Sequence, residues 1–193
     1  MMLRAFIAVE IPVEIQNAIA DNTASLRSAL PSPLVRWVAR QNVHLTLKFL
    51  GDVSPDNLKR LAETLKVESG SLEPFDISVA GLGAFPSQKR ARVIWIGLDA
   101  PPALLTLQHE VDAVAAQLGY PREERPFSPH LTIGRVAQNA SASDLQRIRT
   151  ALEAVKVGVL GSAHVQAIHI FKSDLRPGGS VYSLLYTLSM RST

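Results

Sequence analysis

The tetrapeptide His44-Leu45-Thr46-Leu47 returns 86 positions later as His130-Leu131-Thr132-Ile133. At the same offset Phe85-Pro86-Ser87 is answered by Phe171-Lys172-Ser173, and Val79 and Leu82 by Val165 and Ile168. A constant offset held over about forty residues reads as an internal duplication, which limits the chain to architectures made of two related halves. In a strand, side chains alternate between faces. His and Thr of each motif therefore share one face, about 7 Å apart along the strand, and the two apolar residues share the other. Two such strands side by side make one pocket with two imidazoles and two hydroxyls. That set suits an acid, a base and two hydrogen-bond donors around an oxyanion.

The remaining pattern supplies the frame. Leu3 to Val9 reads as a buried strand. A helix opens at Pro12 and carries Ile15, Ile19, Asn22, Leu26 and Leu30 at helical spacing, ending at Pro31-Ser32-Pro33. Val35 to Val38 is a short strand, and the first motif strand runs from His44 to Leu50, stopping at Gly51-Asp52. Ser54-Pro55 opens a helix with Leu58, Leu61 and Leu65 on one face. Phe75 to Phe85 reads as a strand with a bulge marked by Gly81 and Gly83, and Arg92 to Leu98 as an apolar strand after a basic turn. A helix with Leu104, Leu107, Val111, Val114 and Leu118 follows, then a Pro-rich charged loop from Gly119 to Pro129. The second motif strand runs to about Val136. Ser143 is expected to cap a last helix carrying Leu145, Ile148, Leu152 and Val155. Val165 to Phe171 and Val181 to Leu188 are two final strands, joined through Pro177-Gly178-Gly179. The fold class is α+β: two pseudo-symmetric α/β lobes with mostly antiparallel sheets around a central cleft. With no flexible linker, residues 1–193 form a single bilobal domain, with related repeats roughly at 3–90 and 91–189.

Composition narrows the chemistry. There is no cysteine, which excludes disulfides, thiol nucleophiles and cysteine metal sites. No run is apolar and long enough for a signal peptide or a membrane span, so a soluble, cytoplasmic protein is expected. The net charge is +3, and 14 of the 20 basic residues are arginine, whose planar fork suits phosphate; a biased genome composition explains the same excess. Neither His-x-Thr has a carboxylate at a ligand spacing, so no metal and no cofactor are expected. His109, His164 and His169 read as surface or hydrogen-bonded residues, the last two on opposite faces of one strand. Arg135 falls on the wrong face by strict alternation; it is either an exposed strand-end residue or is re-aimed by a bulge at Gly134. Phe127 either packs its loop or stacks on a base.

These motifs and their flanks resemble the two-histidine (2H) phosphoesterases. The similarity takes in Arg4-x-Phe6 with Pro12, Trp37-Val38, His44 to Val53, Arg92 to Trp95, Arg125 to Arg135 and Phe171-Lys172-Ser173. Within that group the chain is most similar to the bacterial and archaeal RNA 2′,3′-cyclic phosphodiesterases, first described as 2′-5′ RNA ligases. The resemblance implies metal-independent opening of a terminal 2′,3′-cyclic phosphate on RNA to a 2′-phosphate. It implies His44 as proton donor, His130 as proton acceptor, Thr46 and Thr132 on phosphate oxygens, and Arg135 on the phosphate. The expected partners are RNA ends or nucleotides bearing a 2′,3′-cyclic phosphate, with no membrane and a monomeric protein. Two alternatives remain at this stage: 2′-5′ ligation or cleavage of 2′-5′ linkages as the main role, and a non-catalytic module that binds RNA ends.

Overall fold

The computed structural model describes residues 2–176 and 179–191. Strand β1 (Leu3–Glu10) is followed by helices α1 (Val13–Asn22) and α2 (Ala24–Ala29), then β2 (Val35–Trp37) and β3 (His44–Val53). Helix α3 (Pro55–Ser69), β4 (Phe75–Phe85), β5 (Val93–Leu98), α4 (Pro102–Gln117) and β6 (His130–Val136) come next. Helix α5 (Ala142–Ala154) leads to β7 (Val159–Val165), β8 (Ala167–Arg176) and β9 (Gly179–Ser189). All strands join one antiparallel sheet in the order β7-β4-β5-β6-β3-β1-β8-β9, with β2 paired to β6.

That order reads outward from its middle as a duplication. The two motif strands, β3 and β6, are neighbours at the centre and meet at Leu45 opposite Leu131. Each of these residues is the other's repeat copy, so the relating axis passes between them. A second such pair is Ile77 opposite Ala163, where β4 meets β7. On one side the motif strand is flanked by β1 and then β8; on the other by β5 and then β4. The strands carrying Phe-x-Ser are thus exchanged: β4, from the first part of the chain, lies beside β5, and β8 lies beside β1. Each side ends in one further strand: β9 against β8 on the first, along Ala167–Arg176, and β7 against β4 on the second, at Phe75–Ala80.

Alternation assigns the faces. In β1, Ala5, Ile7 and Val9 join the apolar core, and Phe6 and Ala8 face the other way. In the motif strands Leu45, Leu47, Leu131 and Ile133 are buried in that core. Burial of such side chains, about 1.5–3 kcal/mol each, fixes which face of the sheet is left for chemistry.

Several local expectations are corrected. The helix expected from Pro12 to Leu30 is two helices: Thr23 departs from helical geometry (φ −110°, ψ 7°), and its hydroxyl donates to the Ile19 carbonyl at 2.7 Å. Strand β3 does not stop at Gly51-Asp52 but runs to Val53, because Gly51 takes φ +68° and absorbs a register shift against β1. The last helix is capped by Ser141, not Ser143; Ser141 forms a capping box with Asp144. Gly81 does sit at a bulge (φ +81°), but Gly83 is there because any side chain would strike the Trp95 ring. Strand β7 is an element the periodicity missed. Its Val-Leu-Gly-Ser start is partly exposed and lacks alternation, so its pairing with β4 defines it. His164 and His169 consequently lie on different strands. The turn expected at Pro177-Gly178 lies outside the described residues.

A buried ion pair ties the halves together beneath the cleft. Lys48, on the core side of β3, donates through Nζ to Asp112 Oδ1 of α4 and to the Pro121 carbonyl, both at 2.5 Å. Asp112 also accepts from the Glu123 backbone N–H at 3.3 Å. The loop that delivers His130 is therefore anchored to the strand that carries His44. Removing one partner strands the other charge in a dry site, which costs about 3–5 kcal/mol. Lys48→Ala is expected to lower unfolding free energy by about that amount in urea titration. The double change Lys48→Met with Asp112→Leu should cost less than Lys48→Ala alone.

Candidate active site

Each motif strand carries a bulge at the same place. Opposite β1, Leu47 is the extra residue between Thr46 and Lys48; opposite β5, Ile133 is the extra residue between Thr132 and Gly134. The bulge inverts the alternation that follows. Arg135 consequently pairs with Val93 and lies on the face of Trp95, Thr132 and His130. The bulge foreseen at Gly134 is thus one residue earlier. Phe49 is Arg135's repeat copy. It pairs with Phe6 on the cleft face of the other side and is 64 % exposed.

Leu45 opposite Leu131 is the one pair that joins the strands, and antiparallel geometry continued from it puts His44 level with Thr132 and His130 level with Thr46. Side chains so paired have Cβ atoms about 5 Å apart, with diagonal neighbours at about 7–8 Å. The four expected residues thus form one square. Arg135 contributes as well, since its charge reaches His44. Phe127 is half-buried and packs against the core.

Both rings are held the same way. His44 Nδ1 lies 2.7 Å from the Asn42 carbonyl oxygen, and His130 Nδ1 lies 2.7 Å from that of Ser128. A carbonyl only accepts, so Nδ1 carries the proton in each ring and Nε2 is left for the cleft. Asn42 and Ser128 are themselves 86 apart; the repeat offset pointed to them, although motif reading alone did not.

The surroundings differ. His44 stacks on Phe6 (centroids 4.8 Å), and Tyr182 of β9 meets it edge-on at 5.3 Å. Phe171 lies 6.4 Å away. The β8–β9 hairpin is tied to this spot because Asn42 Nδ2 donates to the Ser180 carbonyl at 3.1 Å. Among the aromatic rings of the described residues His130 meets Phe85, edge-on at 4.9 Å, with Trp95 behind it. Burial is the main cause that lowers the His44 pKa to about 4; the Asn42 carbonyl opposes it and the Arg135 charge adds to it. Among the described residues no three His, Cys, Asp or Glu side chains converge as metal ligands. No helix there is long and apolar enough to cross a membrane.

This arrangement of paired motifs about a pseudo-two-fold axis has counterparts in known proteins. The family model described as LigT like Phosphoesterase matches residues 9–95 and again residues 96–182. The chain belongs to this family. It is 34 % identical over 183 residues to the RNA 2′,3′-cyclic phosphodiesterase of Methanothermobacter thermautotrophicus, covering 95 % of this chain and 96 % of that one. It is 34 % identical over 140 residues to the enzyme of the same name from Escherichia coli K12, covering 71 % and 74 %. The crystal structure of E. coli LigT with 3′-AMP superposes over the full length of both chains with a TM-score of 0.78 at 26 % identity. The crystal structure of a Thermus thermophilus protein gives 0.79 at 27 % identity, covering 97 % of this chain and 98 % of that one. The α+β reading with two related halves holds throughout.

Because desolvation dominates, His44 in the free protein is expected to titrate near 4 by NMR of its ring protons. Tyr182→Ala, which opens the ring to water, should move that midpoint up toward about 6.5. A His44 midpoint already at the unperturbed value would contradict the burial. The linked stability has a definite sign. The folded pKa lies below the unfolded one, so the stabilisation is full above about pH 6.5 and is lost as pH falls toward 4.

Proposed function

We propose that this chain hydrolyses terminal 2′,3′-cyclic phosphates of RNA, leaving a 2′-phosphate, as a single bilobal unit. The observation that supports this best is the square of two imidazoles and two hydroxyls set by Leu45 opposite Leu131, with Nε2 of each ring left for the cleft. The names of the relatives fit the same reaction.

The reading of the chemistry is an in-line displacement. Water attacks phosphorus while His130 Nε2 takes its proton, and the P–O3′ bond breaks as His44 Nε2–H protonates the leaving oxygen. Thr46 and Thr132 donate to the non-bridging oxygens, and Arg135 offsets their charge. His44 is neutral in the free protein, so its role as acid depends on the substrate. An anionic phosphate beside the ring favours the imidazolium and opposes the desolvation that lowered its pKa. The buried histidine thus acquires its proton together with the ligand that needs it. Transfer of one proton at each end leaves both rings in exchanged states, which water resets, and no covalent intermediate is required. Ligation or cleavage of 2′-5′ linkages uses the same groups in reverse and differs only in the nucleophile.

The test is turnover of an RNA oligonucleotide ending in a 2′,3′-cyclic phosphate, in EDTA, with identification of the product. The expected result is a 2′-phosphate, with His44→Ala and His130→Ala each slowing kcat by roughly 10²–10⁴-fold. A 3′-phosphate product would reverse the leaving group. Loss of wild-type turnover in EDTA would overturn the metal-free reading.

A further inference from the structure

One cross-strand contact next to the site sets two like charges against each other. On β2, Arg36 stands directly opposite Arg135 of β6. Register partners have Cβ atoms about 5 Å apart, and like charges so placed repel. On its other side Arg135 has Val93 of β5, which supplies no carboxylate. Both arginines are exposed, and neither forms an ion pair among the described residues. An anion that accepts from both guanidinium forks relieves this repulsion, and phosphate has the geometry for it.

The backbone holds Arg36 in place. Val35 and Trp37, on either side of it, turn to the core: Val35 is fully buried, and Trp37 Nε1 donates to the Leu30 carbonyl at 2.9 Å. Both side chains close on Gly134, where an added Cβ would lie 2.9 Å from each. Alternation then leaves Arg36 on the cleft face, with Arg135. Arg135 comes three residues after Thr132, but the bulge takes up Ile133. The pair therefore lies two strand steps, about 7 Å, beyond the row of His44 and Thr132. Arg135 is near enough to that row for its charge to be felt at His44, and Arg36 stands beside it on the next strand.

The duplication makes this feature one-sided. The repeat copies of Arg36 and Arg135 are Arg122 and Phe49, so one of the two charges is missing across the axis. Arg122 belongs to the segment between α4 and β6, which forms no strand to set it in register. The substrate is one-sided as well. A 2′,3′-cyclic phosphate ends an RNA strand at its 3′ side. Every further phosphate of that strand lies 5′ of the terminal nucleoside, and the first of them is on its 5′ oxygen.

We propose that Arg36 and Arg135 form a second phosphate site, which holds the phosphate on the 5′ oxygen of the terminal nucleoside and makes this chain prefer RNA ends to cyclic mononucleosides. The inference rests on the cyclic-phosphate reading above and adds substrate preference to it. Arg135 is shared between the reacting phosphate and this one. Arg36 serves the second alone and is a specificity-determining residue. The RNA strand then leaves the pseudo-symmetric site in one direction, past β2.

Adenosine 2′,3′-cyclic phosphate and the same compound carrying a 5′-phosphate differ by this one group. The Michaelis constant of the first divided by that of the second is expected to be about ten or more for the wild type. Arg36→Ala is expected to bring this ratio close to one. A general loss of folding or of catalysis affects both substrates alike and leaves the ratio in place. A wild-type ratio near one, or a ratio that Arg36→Ala keeps, would overturn the proposal. Calorimetry of adenosine 2′-phosphate against adenosine 2′,5′-bisphosphate reads the same preference in binding and needs no turnover, so it separates this inference from the reaction. Dissociation constants whose ratio falls from about ten to near one in Arg36→Ala support the site even if neither cyclic substrate is hydrolysed. A ratio that the variant keeps overturns it.

Discussion

Everything in the cleft depends on one contact: Leu45 against Leu131 where β3 meets β6. Both side chains are buried, and a slip of one residue in either strand would turn an imidazole into the core and a leucine into the cleft. The apolar positions of His-Leu-Thr-Leu are therefore as much a part of the site as the polar ones. They convert two separate strands into a single surface with a fixed spacing of functional groups. The identical bulges at Leu47 and Ile133 then bring Phe49 and Arg135 onto that surface from positions that simple alternation assigns to the core.

A duplicated scaffold poses a chemical problem, since hydrolysis needs an acid on one side and a base on the other. The two histidines have the same strand position and the same Nδ1 contact, so neither motif distinguishes them. The distinction comes from what packs behind each ring. Strand β9 brings Tyr182 over His44, and Asn42, whose carbonyl the ring contacts, also fastens that hairpin through the Ser180 carbonyl. The stronger desolvation of His44 comes from Phe6 stacked on it together with Tyr182 and Phe171 beside it.

Much of this was legible in the sequence because duplication repeats its own signal. The offset of 86 located both motifs and the Phe-x-Ser strands, and periodicity gave most elements. Arg135 was legible only as a choice between two faces, because a bulge is decided by pairing with β5 and β2. The exchange of β4 and β8 was not legible, since strand order is a long-range property that a local pattern does not carry. Strand β7 was hidden by Gly161 and its half-exposed edge. The helix break at Thr23 was hidden because apolar spacing continues across it while a side-chain hydrogen bond to Ile19 ends the helix. The fate of Phe127 was equally undetermined by composition, since an aromatic ring before Ser128 serves the core or a ligand with the same residue type.

The central claim is that the two motifs form one catalytic unit in which both protons move in a single displacement. The direct test is a mutant cycle on kcat for a cyclic-phosphate RNA end, comparing His44→Ala, His130→Ala and the double variant. Residues that act as a unit are strongly non-additive. The account predicts that the double variant is about as slow as the slower single one. Losses that multiply, so that the double variant falls by the product of the two single factors, would contradict it and would mean that the histidines act in separate steps.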